Sequence, residues 1–290
     1  MNSFTLVLIE VLLAVIAAPI VGGLLTGIDR KITARMQRRK GPPLLQPFYD
    51  VAKLLQKESS TVNMFTRFFT SFSLFFTVLA VVLLFIGQDL LLCIFSFTLA
   101  MIFFVIMGYS GYSPYSFIGA ERELIQIMCY EPMILIMAFG FYESTGSFKI
   151  SETLVQSTPV ITKIPLIFLG FIFILTIKLR KSPFDLSMSH HAHQELVKGI
   201  TTELTGICMA MVEVTHWFET VFSLALVYVF FIWANPYSHV IAVAACLIAY
   251  FLEILIDNIF ARLKWEPVLR TSWIVTGAAS LANFIILGLI

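Results

Sequence analysis

The chain has 290 residues, of which 59% are hydrophobic and only 13% charged, and its mean hydropathy is +0.91. Soluble globular proteins run at about 45–50% apolar and about 25% charged, so this chain lacks the polar surface that a water-soluble enzyme needs. It is also far too apolar to be a disordered or fibrous chain. A net charge of +1 excludes little by itself; the placement of the charges along the chain says much more.

A membrane span needs about 20 largely apolar residues. The sequence predicts an all-α, polytopic membrane protein of about eight transmembrane helices, over about 3–27, 67–87, 90–108, 122–143, 161–180, 204–234, 237–258 and 270–290. The first run is too long for a signal-peptide core and has neither a basic stretch before it nor a small-residue cleavage site after it, so it is expected to stay as a span. Spans 2 and 3 are joined by the hairpin-sized Gly87-Gln88-Asp89, and Asn235-Pro236 ends the sixth. No internal repeat or soluble domain stands out, so residues 1–290 read as one integral membrane domain. Its first loop, about 28–66, contains an amphipathic helix that opens at Pro47. Phe48, Val51, Ala52 and Leu55 fall on one side of that helix, and Asp50, Lys53 and Lys57 on the other.

Basic loops stay on the cytoplasmic side of a membrane. Loop 1 carries Arg30, Lys31, Arg35, Arg38, Arg39, Lys40, Lys53, Lys57 and, at its border, Arg67. Loop 3 carries Arg122, loop 5 (about 181–203 with its border) Lys178, Arg180, Lys181 and Lys198, and loop 7 Arg262, Lys264 and Arg270. Of the 19 basic residues, only Lys149 and Lys163 lie on the other side. The expectation is that both termini face outside and that the long loops 1, 3 and 5 face the cytoplasm of a prokaryotic cell.

Cys93, Cys129, Cys208 and Cys246 each lie in an apolar stretch and none forms a CxxC pair. They supply no zinc, iron–sulfur or nickel–iron ligand set. No cofactor is expected in this chain, and redox metals belong on other subunits. Six acids do lie in or at the edges of apolar spans: Glu10, Glu131, Glu213, Glu219, Glu253 and Asp257. Each costs about 2.5–3.5 kcal/mol at the bilayer centre, and none has a Lys or Arg close in sequence. Such carboxyls suit a proton relay; the alternative is a hydrogen-bonded structural role between helices.

Span 6 holds the densest signal. Glu203 precedes it, and Glu213, His216 and Glu219 step by three residues, covering an arc of about 120° on one helix. In span 4, Pro132 follows Glu131 and frees a backbone carbonyl beside the acid. Loop 5 carries His190, His191 and His193. This HHxH run lacks the i, i+4 pair of a rigid metal site, so titratable groups at a cytoplasmic chamber are the preferred reading over a structural metal.

Three segments together resemble one family. Gly41-Pro42-Pro43-Leu44-Leu45-Gln46-Pro47-Phe48-Tyr49-Asp50 is similar to the first loop of complex I's quinone-chamber subunit. Ser182-Pro183-Phe184-Asp185-Leu186 with Gln194-Glu195-Leu196-Val197 is similar to its fifth loop, and Gly119-Ala120 with Tyr130-Glu131 to the start of its fourth span. The differences are equally informative. The first loop is shortened to GPPLLQP, His191 and His193 stand where the family often has carboxylates, and Lys178 where many members have Glu. This pattern most resembles the homologous membrane subunit of Ech-type, energy-converting nickel–iron hydrogenases.

That resemblance implies a subunit linking a soluble redox arm to proton or sodium pumping. Its implied neighbours are the hydrogenase small and large subunits, a ferredoxin-like iron–sulfur subunit, an antiporter-like membrane subunit and membrane lipid, with no nucleic acid. The NiFe centre and 4Fe-4S clusters would sit on those partners. It further implies a proton path through Glu131, Glu195, Glu203 and Glu213, to which burial logic adds Glu219 and His216, with Glu253 and Asp257 behind them. Arg39, Pro42, Gln46, Asp50, Lys181, Asp185, His191 and His193 would form the cytoplasmic chamber and partner interface. A quinone-reducing relative of complex I and a freestanding ion transporter remain alternatives, though many transporters show an internal repeat that this chain lacks.

Overall fold

The computed structural model describes residues 3–58, 63–187 and 198–289. His190, His191, His193 and Glu195 lie outside the described residues. Within them the chain is all-helical: α1 (Ser3–Met36), α2 (Gln46–Gln56), α3 (Met64–Phe85), α4 (Leu90–Tyr109), α5 (Pro114–Thr145), α6 (Pro165–Lys178), α7 (Gly206–Phe230), α8 (Ser238–Ile259) and α9 (Trp265–Leu289), with short 3-10 turns between α5 and α7. Among the described residues six helices, α1, α3, α4, α5, α7 and α8, are long and apolar enough to cross a bilayer. The protein is a multi-pass membrane protein.

Each predicted span contains one helix, but three lengths differ instructively. Span 5 yields the 14-residue α6, about 21 Å long and short of a bilayer core of about 30 Å. Pro165 starts it and a 3-10 turn at Val160–Thr162 precedes it. Conversely, α1 runs on to Met36, beyond the apolar run predicted to end near 27. No helix breaker follows Gly27 until Gly41-Pro42, so the charged segment 28–36 continues the helix out of the apolar layer. α5 starts earlier than its apolar run, at Pro114, where the Ser113 side chain caps the Tyr115 amide at 3.3 Å.

The core lies between α3, α4, α5, α6 and α7, filled by Phe97, Phe104, Phe171, Phe222 and Phe230 among others. Phe97 and Phe222 stack with centroids 4.7 Å apart. α1 and α8 cover this core from one side and present Leu8, Leu12, Ile16, Val240 and Leu247 outward. α1 meets α7 closely because Gly22 has no side chain: a Cβ there would stand 2.4 Å from the Trp217 carbonyl oxygen. Gly119 does the same for the loop before α7, since a Cβ would lie 2.3 Å from the Ile200 amide. Pro132 sits inside α5 without ending it. The Met128 carbonyl that its missing N–H leaves open accepts from the Trp273 indole of α9 at 3.2 Å.

Candidate functional site

The C-terminal ends of α1, α6 and α8 and the first half of α7 enclose a cavity of about 580 Å³ at the long-loop end. α1 contributes Asp29, Arg30 and Thr33, and α7 contributes Glu213, His216 and Glu219. The chain leaving α6 contributes Lys178, Arg180, Lys181 and Asp185, while Tyr250, Asp257 and Arg262 come from α8 and the turn after it. The three-residue steps on α7 thus place one acid–imidazole–acid stripe on one wall.

The charges are arranged as linked ion pairs. Arg180 sits at positive φ (50°) just past α6, which aims its guanidinium into the bundle. It donates to Glu123 of α5 at 2.8 Å and to Glu219 of α7 at 3.0 Å, and its head stands 5.3 Å over the Phe104 ring. The Ser187 hydroxyl also donates to Glu123. One residue on, Lys181 bridges Asp29 of α1 and Asp257 of α8, the latter at 3.5 Å, and the Ser182 amide donates to Asp257 at 2.8 Å. Burial works to lower the Lys181 pKa, yet the two carboxylates outweigh it and raise it above the ordinary value. Asp185 pairs with Arg262. Burial nevertheless pushes its carboxyl up to about 6 against that pull, and its Oδ1 has no hydrogen-bond partner among the described residues.

Lys178 is held differently. Its ammonium is buried, makes no hydrogen bond among the described residues, and lies 4.0 Å from the Phe97 ring centroid and 4.6 Å from that of Phe222. It interacts electrostatically with Glu131 on α5 and Glu219 on α7. Glu131 accepts from the Thr98 hydroxyl through one oxygen while the other has no hydrogen-bond partner among the described residues. Charged groups therefore continue from the cavity, through Lys178, toward α4 and α5.

The other candidate positions are spread around this centre. Asp50 ties α2 to α1 by accepting from Arg30 at 2.7 Å, and within α2 the Gln46 amide donates to the same carboxylate at 2.9 Å. Burial is the largest single influence and raises the Asp50 pKa, but the Arg30 and Gln46 donors with the Arg30 and Lys53 charges together bring it below the ordinary value. Phe48 of α2 meets Trp217 of α7 at 5.1 Å. Glu203 caps the α4–α5 turn, accepting from the Tyr112 amide at 2.8 Å, and does not line the cavity. Arg39 contacts Gln37 near the end of α1, with Pro42 partly exposed just beyond. Glu253 is fully buried on α8, and neither carboxylate oxygen has a hydrogen-bond partner among the described residues.

Two corrections to the sequence reading follow. Glu219 and Asp257 have no basic neighbour in sequence, yet both are paired, with Arg180 and Lys181 from 39 and 76 residues away. Lys178 and Arg180, read as markers of a basic loop, turn into the bundle beside Lys181, which was expected in the chamber and lines the cavity. Glu123, Asp29 and Arg262 were missed as site residues. Glu123 has the same i, i+3 proximity to Gln126 that His216 has to Glu219, and Gln126 donates to the Phe184 carbonyl at 2.6 Å; a search for polar stripes in α5 finds it. Among the described residues no group of three His, Cys, Asp or Glu side chains is placed to hold a metal ion.

With this geometry established, comparison with known proteins is decisive for the family. A model described as NADH dehydrogenase matches residues 9–288. The chain belongs to that family. Formate hydrogenlyase subunit 4 of Escherichia coli is 29% identical, over 95% of this chain and 96% of its own. Hydrogenase-4 component C of the same organism is also 29% identical, over 89% of each chain. An NADH-quinone oxidoreductase subunit of Dehalococcoides mccartyi is 26% identical, over 89% of this chain and 79% of its own. A chain in the structure of the membrane-bound sulfane sulfur reductase, an archaeal respiratory membrane complex, shares the fold: TM-score 0.84, 24% identity, 96% of this chain and 99% of that one. Family members thus occur in both hydrogenase and quinone oxidoreductase complexes.

Proposed function

We propose that the chain is the membrane-anchoring and ion-translocation-coupling subunit of a ferredoxin-dependent, hydrogen-evolving nickel–iron hydrogenase of the Ech type. The long-loop end faces the cytoplasm and carries the soluble redox arm, whose small, large and ferredoxin-like subunits hold the NiFe centre and 4Fe-4S clusters. An antiporter-like subunit adjoins the bundle in the membrane. The chain itself is not catalytic; it moves charge when the redox arm changes state.

The observation that carries this reading is the buried line of charges from Asp185–Arg262 through Lys181 and Arg180 to Lys178 and Glu131. A membrane protein that needed only an anchor would avoid the desolvation cost of so many ions. A line open to the loop end and running sideways into α4 and α5 suits a relay between a soluble arm and a neighbouring membrane subunit. The hydrogenase branch is favoured by the two relatives at 29% identity and by the shortened GPPLLQP loop.

The test is the nickel and iron content of the complex that copurifies with this chain from native membranes in mild detergent. Nickel with abundant iron is expected. Iron and flavin without nickel would move the chain to the quinone-reducing branch. Neither metal, in an intact complex, would overturn both redox readings.

A further inference from the structure

A second cavity, of about 590 Å³, lies between the opposite halves of α1, α7 and α8, the end of α3 and the 3-10 turn Ile150–Val155. Its walls are mostly apolar, with polar groups at Glu10, at Cys246, and at the far end, where the Tyr228 hydroxyl meets His239 Nδ1 at 2.7 Å. The two cavities are stacked on the same three helices. On α1 the polar cavity reaches Thr26 and the apolar one begins at Leu25; on α7 the boundary falls between Thr220 and Val221. On α8 it falls between Tyr250 and Leu247.

Where they meet there is one layer, in which Leu25 and Leu224 line the apolar cavity and Tyr250 the polar one. Leu25, Leu224, Tyr250 and Ile254 form a hydrophobic cluster distinct from the main core. The layer is tied together at two points: the Tyr250 hydroxyl donates to the Leu25 carbonyl at 3.2 Å, and the Cys246 thiol donates to the Leu224 carbonyl at 3.2 Å. Along α8, His239 to Asp257 covers about 27 Å at about 1.5 Å per residue, close to a bilayer core of about 30 Å. Polar groups stand at both ends of that distance, and the cluster of four side chains interrupts it.

We propose that the two cavities are the halves of one transmembrane proton route, closed by the Leu25–Leu224–Tyr250–Ile254 plug. A hydrophobic constriction of this kind blocks by staying dry and conducts when it widens enough to wet. The loop-end half is charged and wettable through Asp29, Asp257 and Glu219. The far half ends at Glu10 and the Tyr228–His239 pair, which take up and release the proton. This route is separate from the sideways line through Lys178, and it requires only that the chain spans a membrane. It does not depend on which redox reaction the complex performs.

The test uses the intact complex in liposomes, without electron donor, under an imposed pH gradient with the membrane potential clamped by potassium and valinomycin. Leu224→Ala and Ile254→Ala are each expected to raise passive proton flux at least about tenfold by widening the dry constriction. Adding Glu10→Gln to either is expected to bring the flux back toward the parental level. Parental flux in both plug variants, in fully assembled complex, overturns the proposal. Should the plug variants not assemble, the unaltered complex gives a second reading through Cys246, followed by peptide mass mapping after treatment with a membrane-impermeant maleimide. Modification from the far side only is expected. Modification from both sides would show that no plug exists, and modification from neither would show that lipid or a neighbouring subunit fills the far half; each overturns the proposal.

Discussion

Lys178 and Arg180 stand two residues apart at the end of α6, and the bundle holds them in opposite ways. Arg180 is clasped by Glu123 and Glu219, with hydrogen bonds along its planar fork. Lys178 faces two phenyl rings and donates no hydrogen bond among the described residues. A guanidinium keeps its charge under all physiological conditions and matches carboxylates in geometry, whereas a buried ammonium readily exchanges its proton. The comparison teaches that the chamber contains two kinds of charge. The Arg180 and Lys181 pairs lock α1, α5, α7 and α8 to the segment leaving α6. Lys178 and Glu131 lie outside that lock, each with a buried polar atom that has no hydrogen-bond partner among the described residues.

The largest expected effect comes from breaking the lock. Arg180→Met strands two buried carboxylates and should cost about 3–5 kcal/mol, seen as loss of assembled complex or a sharply lowered melting temperature. If the variant assembles and melts like the parent, the pairing is not structural. A smaller effect is expected at the chamber mouth. In the folded chain Asp185 keeps its proton up to about pH 6, against the ordinary 3.8. The folded state therefore binds more protons than the unfolded one between about pH 4 and 6, and stability falls as pH rises through that window. Asp185→Asn removes this dependence, so its melting temperature should gain on the parent from about pH 4 to 6 and keep a constant difference above about 7. A difference that stays level through that window would place the Asp185 proton elsewhere.

Lys178→Met tests the other side of the comparison. Removing the ammonium leaves Glu131 without its counter-charge but breaks no hydrogen bond seen among the described residues, so the loss of stability should be about 1–3 kcal/mol, below that of Arg180→Met. Ion uptake per turnover in vesicles should fall at least about fivefold, a shift of about 1 kcal/mol. Parental uptake would make Lys178 a packing residue. The smallest effect is expected far from the lock. Arg30–Asp50 is about 40% exposed on both sides, so Arg30→Ala should cost no more than about 1 kcal/mol. Its readout is faster tryptic cleavage at Lys53 and Lys57 as α2 loosens; an unchanged cleavage rate would show that Phe48 against Trp217 suffices to hold the helix.

The all-helical membrane fold was legible because apolar runs of about 20 residues have few alternatives to a helix in lipid. The stripe on α7 was legible for a similar reason: three polar residues at helical spacing inside an apolar run must share a face. The pairing was not legible. Glu123–Arg180 and Asp257–Lys181 join residues 57 and 76 apart, and neither hydrophobic periodicity nor charge counting reports contacts at that range. The extended end of α1 was hidden for another reason, since hydropathy marks where lipid ends rather than where a helix ends. Asp29 and Arg30 therefore read as loop residues while standing on α1.

The central claim is that the chamber couples chemistry elsewhere in the complex to ion movement, and Glu213→Gln tests it most directly. The measurement is hydrogen evolution in detergent alongside ion uptake in sealed vesicles, on the same preparation of assembled complex. The account predicts hydrogen evolution close to the parental rate with ion uptake slowed or lost. Parental uptake at parental stoichiometry would contradict it and leave Glu213 a structural contact between helices.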